Sequence, residues 1–220
     1  MVVPPWTYMH EKDKAEKRWP AAEKYIMERK LNEVFGPDKA EIGIVCQGGM
    51  YNGVVRALQR IGLADIYGKT EVPIYCLNVT YPLVNEEFLK FCEGKSSVLV
   101  VEEGAPDFIE QALTTMVYRS DSKVKLFGRK YLPSVGELTG QVMLDSIVAY
   151  LKDTAPDMLP GRGRAPNTPE PEIPDLSKVV PVRPPSFCTG CPERPIFAGI
   201  KLAQNELGEH QISADIGCHL

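Results

Sequence analysis

Three cysteines near the end of the sequence have the spacing of ligands for a metal ion or cluster. Cys188 and Cys191 form a C-x-x-C turn, and 26 residues separate Cys191 from Cys218. Gly190 lets the backbone of the turn wrap closely around a bound group. Such a turn suits a redox dithiol, half of a zinc site or two ligands of an iron–sulfur cluster.

The surroundings of these cysteines favour one of the three chemistries. A redox dithiol normally begins a helix in a compact βαβ unit, whereas this pair follows a proline-rich stretch. Zinc would call for a second C-x-x-C or a histidine pair, and His210 and His219 offer no clear ligand spacing. Three cysteines suit three corners of a cubane cluster. The spacing therefore favours an iron–sulfur cluster and leaves zinc, or structural or redox thiols, as alternatives.

The other three cysteines occur in apolar strand or helix patterns. Cys46, Cys76 and Cys92 are each predicted to be small buried hydrophobic residues. No secretory signal is visible, so six cysteines in this chain are not expected to form disulfides.

Two further loops follow predicted strands, where α/β proteins bind ligands. Residues 46–53 contain three glycines but neither a dinucleotide-binding spacing nor a G-K-[ST] sequence, which favours a tight turn into a helix. Glu102 and Glu103 are adjacent carboxylates, but neighbouring side chains on an extended segment point in opposite directions. With no histidine or third carboxylate nearby, this pair is interpreted as a solvated turn.

Strand and helix patterns alternate through the middle of the chain. Strands are predicted over residues 41–46, 73–79, 97–102 and 124–127, and helices over 50–63, 86–92, 107–118 and 135–151. Near-continuous apolar strands alternating with amphipathic helices are typical of a parallel sheet covered on both faces. We therefore predict a three-layer α/β domain over residues 38–153.

The flanking segments have different compositions. Residues 1–37 are predicted to be an irregular lead-in as far as Pro20, followed by a helix over 21–34. Residues 154–183 are proline-rich and are predicted to be an extended linker. Residues 184–220 contain one helix pattern and one strand pattern, at 211–216. One helix and one strand do not make a domain, so we expect this segment to begin a domain that is incomplete here.

Composition excludes several classes of function. The 220 residues carry a net charge of −4 without a cluster of Lys and Arg, which argues against nucleic acid or an anionic membrane as the main partner. The apolar runs have the length of strands and are too short to span a bilayer. A cytoplasmic protein is the expectation.

Several motifs, in order, resemble the large (α) subunit of indolepyruvate ferredoxin oxidoreductases. This family belongs to the thiamine-diphosphate-dependent 2-oxoacid:ferredoxin oxidoreductases, and the resemblance runs through most of residues 21–220. The motifs that carry it are Gly43–Asn52, Leu77–Leu83, Phe91–Gly94, Val100–Gly104, Phe187–Arg194 and Ser213–His219.

The resemblance implies a role for each segment. Residues 38–153 would be a transketolase C-terminal-like scaffold, and residues 184–220 the start of the domain that holds the diphosphate of the cofactor. Cys188, Cys191 and Cys218 would be ligands of a 4Fe–4S cluster. The backbone of Asp215, Ile216, Gly217, Cys218 and His219 would lie beside thiamine diphosphate, whose Mg²⁺ site is expected to be completed outside this chain.

The implied reaction is oxidative decarboxylation of indolepyruvate, or another aryl-2-oxoacid, to the acyl-CoA. Ferredoxin would accept the electrons, and a small (β) subunit would be the partner. A relative that acts on pyruvate or another 2-oxoacid is the first alternative, and a non-catalytic α/β interaction module with a zinc-binding tail is the second. Since neither half of a thiamine site is complete here, no catalytic residue is assigned and these 220 residues alone are predicted to be inactive.

Overall fold

The computed structural model describes residues 3–159, 190–191 and 193–211. By its internal contacts the chain divides into two compact units, Met1–Asn167 and Thr168–Leu220. In the described part of the first unit lie a five-stranded sheet and six α-helices, and in that of the second lies one helix. No helix among the described residues is long and apolar enough to cross a membrane.

The first unit begins with two helices rather than an irregular lead-in. Helix α1 (Trp6–Asp13) continues through a π-helical turn (Lys14–Arg18) into α2 (Trp19–Arg29). The sequence prediction was wrong here because Pro20 lies in the first turn of α2, where a proline needs no backbone partner. Exposed pairs four residues apart, such as Lys24 with Glu28, support the helix.

The predicted helix over residues 21–34 is too long. It ends at Arg29, Lys30 adopts a left-handed conformation with φ of 51°, and strand β1 (Glu33–Phe35) follows. β1 pairs antiparallel with β3. This pairing depends on a distant strand, so helical periodicity could not reveal it.

The remaining strands and helices lie close to their predicted positions, except that the helix predicted over 135–151 begins at Gly140, after Thr139, whose side chain accepts a hydrogen bond from the Val142 N–H. The strands are β2 (Ile42–Gln47), β3 (Ile74–Leu77), β4 (Ser97–Val101) and β5 (Lys125–Phe127). The helices are α3 (Tyr51–Arg60), α4 (Asn85–Cys92), α5 (Phe108–Tyr118) and α6 (Gly140–Thr154). The α/β prediction is confirmed.

The sheet has the order β1-β3-β2-β4-β5, with β2 to β5 parallel and β1 antiparallel. It is therefore mixed rather than wholly parallel. The chain moves from β2 outwards to β3 and then crosses to β4 on the other side. This reversal, between β2 and β4, is the point where α/β sheets usually open a crevice at their carboxyl edge.

Alternation along the strands divides the core into two layers. Ile44 and Leu99 belong to the cluster that includes residues of α3 and α6, whereas Val45 and Val100 belong to the cluster that includes residues of α4 and α5. Successive side chains of a strand point to opposite faces, so both faces of the sheet are buried.

In the second unit, helix α7 extends over Glu193–Leu207. Among its apolar side chains, Ile196 and Leu202 are both more than half exposed. The predicted linker at 154–183 and the strand at 211–216 lie almost entirely outside the described residues, so both stay predictions.

Candidate functional site

Of the three predicted metal ligands, only Cys191 lies within the described residues. Its side chain is buried, and it follows Gly190, whose φ of 79° is in the left-handed region that favours glycine. The carbonyl oxygen of Cys191 accepts a hydrogen bond of 3.3 Å from the backbone N–H of Arg194, in the first turn of α7. A tight turn thus places one thiol at the start of a helix.

The other predicted site residues cannot be located relative to Cys191. Cys188 and the segment Asp215–His219, which includes Cys218, lie outside the described residues. Within the described ranges, no three His, Cys, Asp or Glu side chains are grouped as metal ligands. The buried Cys191 thiol and its tight turn are compatible with a thiolate-bound metal or cluster, and the three-cysteine ligand set stays a prediction.

The glycine loop after β2 forms the tight turn that its spacing predicts. Residues Gly48–Met50 make a short 3₁₀ turn that leads directly into α3. A Cβ atom at Gly48 would lie 2.8 Å from Asn78 Oδ1, in the loop that follows β3. The small side chain at this position therefore lets two neighbouring loops approach at the carboxyl edge.

The two adjacent carboxylates after β4 have structural roles, but they do not form the solvated turn that was predicted. Glu102 is buried rather than solvated, and its carboxylate accepts three hydrogen bonds of 2.9–3.1 Å from the backbone N–H groups of Ile109 and Glu110. It thus satisfies the free N–H groups in the first turn of α5 and places negative charge at the positive end of the helix dipole. The sequence could not show this because Glu102 lies seven residues before its nearest partner.

Glu103 and Gln47 join the loops around the same crevice. Glu103 is exposed, and its Oε2 accepts a 2.7 Å hydrogen bond from the backbone N–H of Leu138. Gln47 Oε1 accepts a 3.2 Å hydrogen bond from the backbone N–H of Glu103. Arg129 closes the neighbouring loop by donating to the carbonyl oxygens of Gly104 and Pro133. These polar groups fix loops rather than face an open ligand site.

The cysteines of the first unit, called the sheet unit from here on because it contains the five-stranded sheet, are buried thiols, as predicted. Cys46 and Cys76 are register partners on β2 and β3, and both are almost fully buried. A hydrogen bond with Cys76 and burial raise the pKa of Cys46. Burial raises the pKa of Cys92 to about 12. Both groups are therefore neutral thiols near pH 7 and poor nucleophiles.

A buried polar cluster beside β1 was not predicted from the sequence. Tyr75 Oη donates a 2.9 Å hydrogen bond to Glu87 Oε2, and Asn32 Nδ2 donates to the same carboxylate oxygen at 3.0 Å. Burial, and then the charge of Glu87, raise the pKa of Tyr75. Asn32 Oδ1 also accepts from the backbone N–H of Val79. The cluster ties the segment before β1 to β3 and α4, and the only signal in the sequence was a tyrosine inside an apolar strand.

Comparison with known proteins places this geometry in a family. A family model described as "Indolepyruvate oxidoreductase domain" matches residues 32–150, which is more than half of the chain and includes all five strands. The match begins next to β1.

Three proteins that are similar to this chain have the same name. The indolepyruvate oxidoreductase subunit IorA of Methanothermobacter thermautotrophicus is 34% identical over 198 residues, covering 87% of this chain and 28% of the relative. The proteins of the same name from Thermococcus kodakarensis and Pyrococcus horikoshii are 29% and 27% identical over 189 residues, each covering 86% of this chain and 27% of the relative. The chain thus spans little more than a quarter of the length of these relatives.

Proposed function

Because the chain belongs to the indolepyruvate oxidoreductase domain family, we propose that it is part of an enzyme that oxidatively decarboxylates indolepyruvate and related aryl-2-oxoacids. In this proposal the product is the acyl-CoA, the electron acceptor is ferredoxin, and a small (β) subunit completes the enzyme.

The observation that carries the proposal is the extent of the similarity. A match that covers 87% of 220 residues leaves only about 29 residues outside it. Even if all of these residues followed the match, it would still end at about residue 191. The match therefore extends past the family-model match, which ends at residue 150, and reaches the turn that contains Cys188. The similarity thus covers both the sheet and the predicted start of the metal site, which supports a shared function better than the fold alone would.

We propose that Cys188, Cys191 and Cys218 hold an iron–sulfur cluster. The described thiol fits this role because Cys191 is buried and follows a left-handed glycine, which lets the turn approach a bound group closely. When bound, a 4Fe–4S cluster would carry single electrons towards ferredoxin, and thiamine diphosphate with Mg²⁺ would supply the decarboxylation chemistry. Cys191 would supply one thiolate ligand of the cluster, and Asp215–His219 would supply backbone groups beside the cofactor.

The sheet unit has a positioning role in this proposal. Its loops at the carboxyl edge are fixed by Glu102, Glu103 and Arg129 and offer no grouped nucleophile or metal ligand among the described residues. We infer that this unit is a rigid scaffold between functional segments.

Metal analysis of the enzyme completed to the length of its relatives and purified anaerobically, with an absorption spectrum, tests the cluster assignment. After reconstitution with iron and sulfide, we expect near-equal amounts of both, lost in Cys188→Ser and Cys191→Ser variants. Cys92→Ser is the matched control, because Cys92 is buried in the sheet unit and should leave the metal content unchanged. Zinc on the same thiols would favour the interaction module instead, and the absence of any metal would contradict the electron-transfer role.

A second measurement tests the reaction itself. In the enzyme completed to the length of its relatives and assembled with its partner subunit, indolepyruvate-dependent reduction of ferredoxin should require Cys191 and be lost on Cys191→Ser. Equal rates with pyruvate and indolepyruvate would contradict the aryl preference and favour the broader 2-oxoacid alternative.

A further inference from the structure

Lys95 is a buried lysine whose ammonium group has no hydrogen bond or ion pair within the described ranges. The residue is 9% exposed, and its stem packs over Gly43, where an added Cβ would lie 3.1 Å from Lys95 Cδ. Its Nζ lies 4.6 Å from the centre of the Phe91 ring. The Lys95 N–H donates a 3.0 Å hydrogen bond to the carbonyl oxygen of Cys92, which fixes the backbone after α4. Neither the family nor the proposed function assigns this amine a role.

The amine of Lys95 opens into a cavity of about 1050 Å³ beside α4, at the amino ends of β2 and β3. Among the residues that the structure describes, every fully enclosed side-chain nitrogen or oxygen has a hydrogen-bond partner. Lys95 Nζ has none, so it is in contact with open space. Lys95 and the Phe91 ring beneath its Nζ both line this cavity. Its volume is sufficient for a small organic molecule.

The walls of the cavity around Lys95 are joined by direct contacts. The centre of the Phe91 ring lies 5.5 Å from that of the Tyr75 ring. The N–H and Oγ of Ser96, the next residue, donate hydrogen bonds of 2.7 and 2.9 Å to the carbonyl oxygen of Glu41. The segment before β2 is therefore held beside the lysine. Further apolar surface in the lining comes from Pro37, Ala40 and Pro73.

These surroundings favour the uncharged, nucleophilic form of the amine. Burial lowers the pKa of Lys95 below its ordinary value of 10.5, and the opposing effects of Cys92 and Glu93 are smaller. At a given pH, more of this side chain is therefore uncharged than in an exposed lysine. A desolvated lysine in an apolar pocket is the form that attacks carbonyl carbons.

The charges of the lining favour an uncharged reaction partner. The lining includes the carboxylates Asp38, Glu41, Glu87 and Glu93 and, besides Lys95, only two lysines, Lys39 and Lys90. There is thus no excess of positive charge to attract a carboxylate or a phosphate ester. An uncharged aldehyde with an aromatic or apolar body matches both the amine and the wall beside it.

We propose that Lys95 captures a small uncharged aldehyde in this cavity by forming an imine. The amine nitrogen adds to the aldehyde carbon, and the carbonyl oxygen leaves as water together with the two protons of the amine. A carbon–nitrogen double bond remains. The step consumes no oxidant or reductant, and it is reversed by water.

Reductive labelling with benzaldehyde and cyanoborohydride tests this site in the enzyme completed to the length of its relatives. Peptide mass spectrometry at pH 8 gives the labelling rate of each lysine. We expect Lys95 to be labelled about tenfold faster than Lys90, because the aldehyde is held next to an uncharged amine. Its rate should also saturate as the benzaldehyde concentration rises. Lys90 is the matched control, since it is exposed and lines the same cavity.

The same labelling in concentrated urea is the second measurement, since unfolding removes both the cavity and the burial of Lys95. There the two lysines should react at equal rates. The proposal would be overturned if Lys95 of the folded enzyme reacted no faster than Lys90, if its rate rose linearly with benzaldehyde, or if its advantage persisted in urea. No substitution is needed, so the result does not depend on how a variant folds. The labelling uses neither the iron–sulfur cluster nor thiamine diphosphate, so this test is independent of the proposed function.

Discussion

At the carboxyl edge of the sheet, Glu102 accepts backbone N–H groups from the first turn of α5, and Glu103 and Gln47 each accept one from a neighbouring loop. At the amino edge, the Lys95 ammonium has no hydrogen bond or ion pair among the described residues and lies over the Phe91 ring instead. Open α/β sheets usually bind ligands at the carboxyl edge, where the strand order reverses. In this unit that crevice is filled by structural hydrogen bonds. The fold therefore indicates where a ligand site usually lies. The hydrogen bonds of individual side chains decide whether polar groups at that place are free to bind a ligand.

Removing the Glu102 carboxylate should have the largest effect on stability. Glu102→Ala leaves three N–H contacts at the start of α5 unmade and is expected to lower the free energy of unfolding by about 2–3 kcal/mol. Urea denaturation followed by circular dichroism measures this change.

Glu103→Ala is the control for this variant. Glu103 is exposed and accepts one hydrogen bond, so its loss should cost less than about 1 kcal/mol. If the two variants were equally destabilised, the contrast between a buried helix cap and a surface loop contact would be wrong.

A methyl group at Gly43 should have the next largest effect, and it acts towards the amino edge. The added Cβ would lie 2.8 Å from the Phe91 ring and 3.1 Å from the Lys95 stem, so Gly43→Ala is expected to destabilise the unit by about 1–3 kcal/mol. The same denaturation experiment measures it.

Gly49→Ala provides the comparison at the carboxyl edge. No atom lies within 4 Å of a Cβ at Gly49, and its φ is not in the left-handed region, so the change should be within about 0.5 kcal/mol. A cost at Gly49 equal to that at Gly43 would contradict the packing of Lys95 over β2.

The smallest effect is a dependence of stability on alkaline pH that Lys95 confers. Burial lowers the pKa of Lys95 in the folded chain below its ordinary value of 10.5. As the pH rises towards 10.5, the folded state releases this proton before the unfolded state does, so the free energy of unfolding rises. At every pH below the lowered pKa, Lys95 is charged in both the folded and the unfolded state. The cost of burying this charge then lowers the free energy of unfolding by a constant amount.

Lys95→Met isolates this effect from the other groups that titrate at alkaline pH. We expect the stability of the unsubstituted chain relative to this variant to increase between pH 7 and pH 10, as measured by urea denaturation at each pH. A constant difference across that range would show that the Lys95 ammonium is not desolvated.

Local sequence patterns predicted most of the sheet unit and little of its polar chemistry. The apolar run Ser97–Val101 and the helical periodicity of α5 are visible within a few residues, and the structure has both elements where they were expected. The Cys188–Cys191 turn is equally local, and the resemblance to the family is confirmed by the family match. The ligand set itself stays a prediction.

The sequence by itself determined the α/β class, the alternation of strands and helices and the burial of Cys46, because each depends on the period or polarity of neighbouring residues. Only the tertiary structure decided that residues 33–35 pair with β3, that Glu102 caps α5 and that Lys95 is buried over Gly43 and Phe91. These features join residues that are distant in the chain, and their energies come from burial and hydrogen bonds that exist only once the sheet has formed.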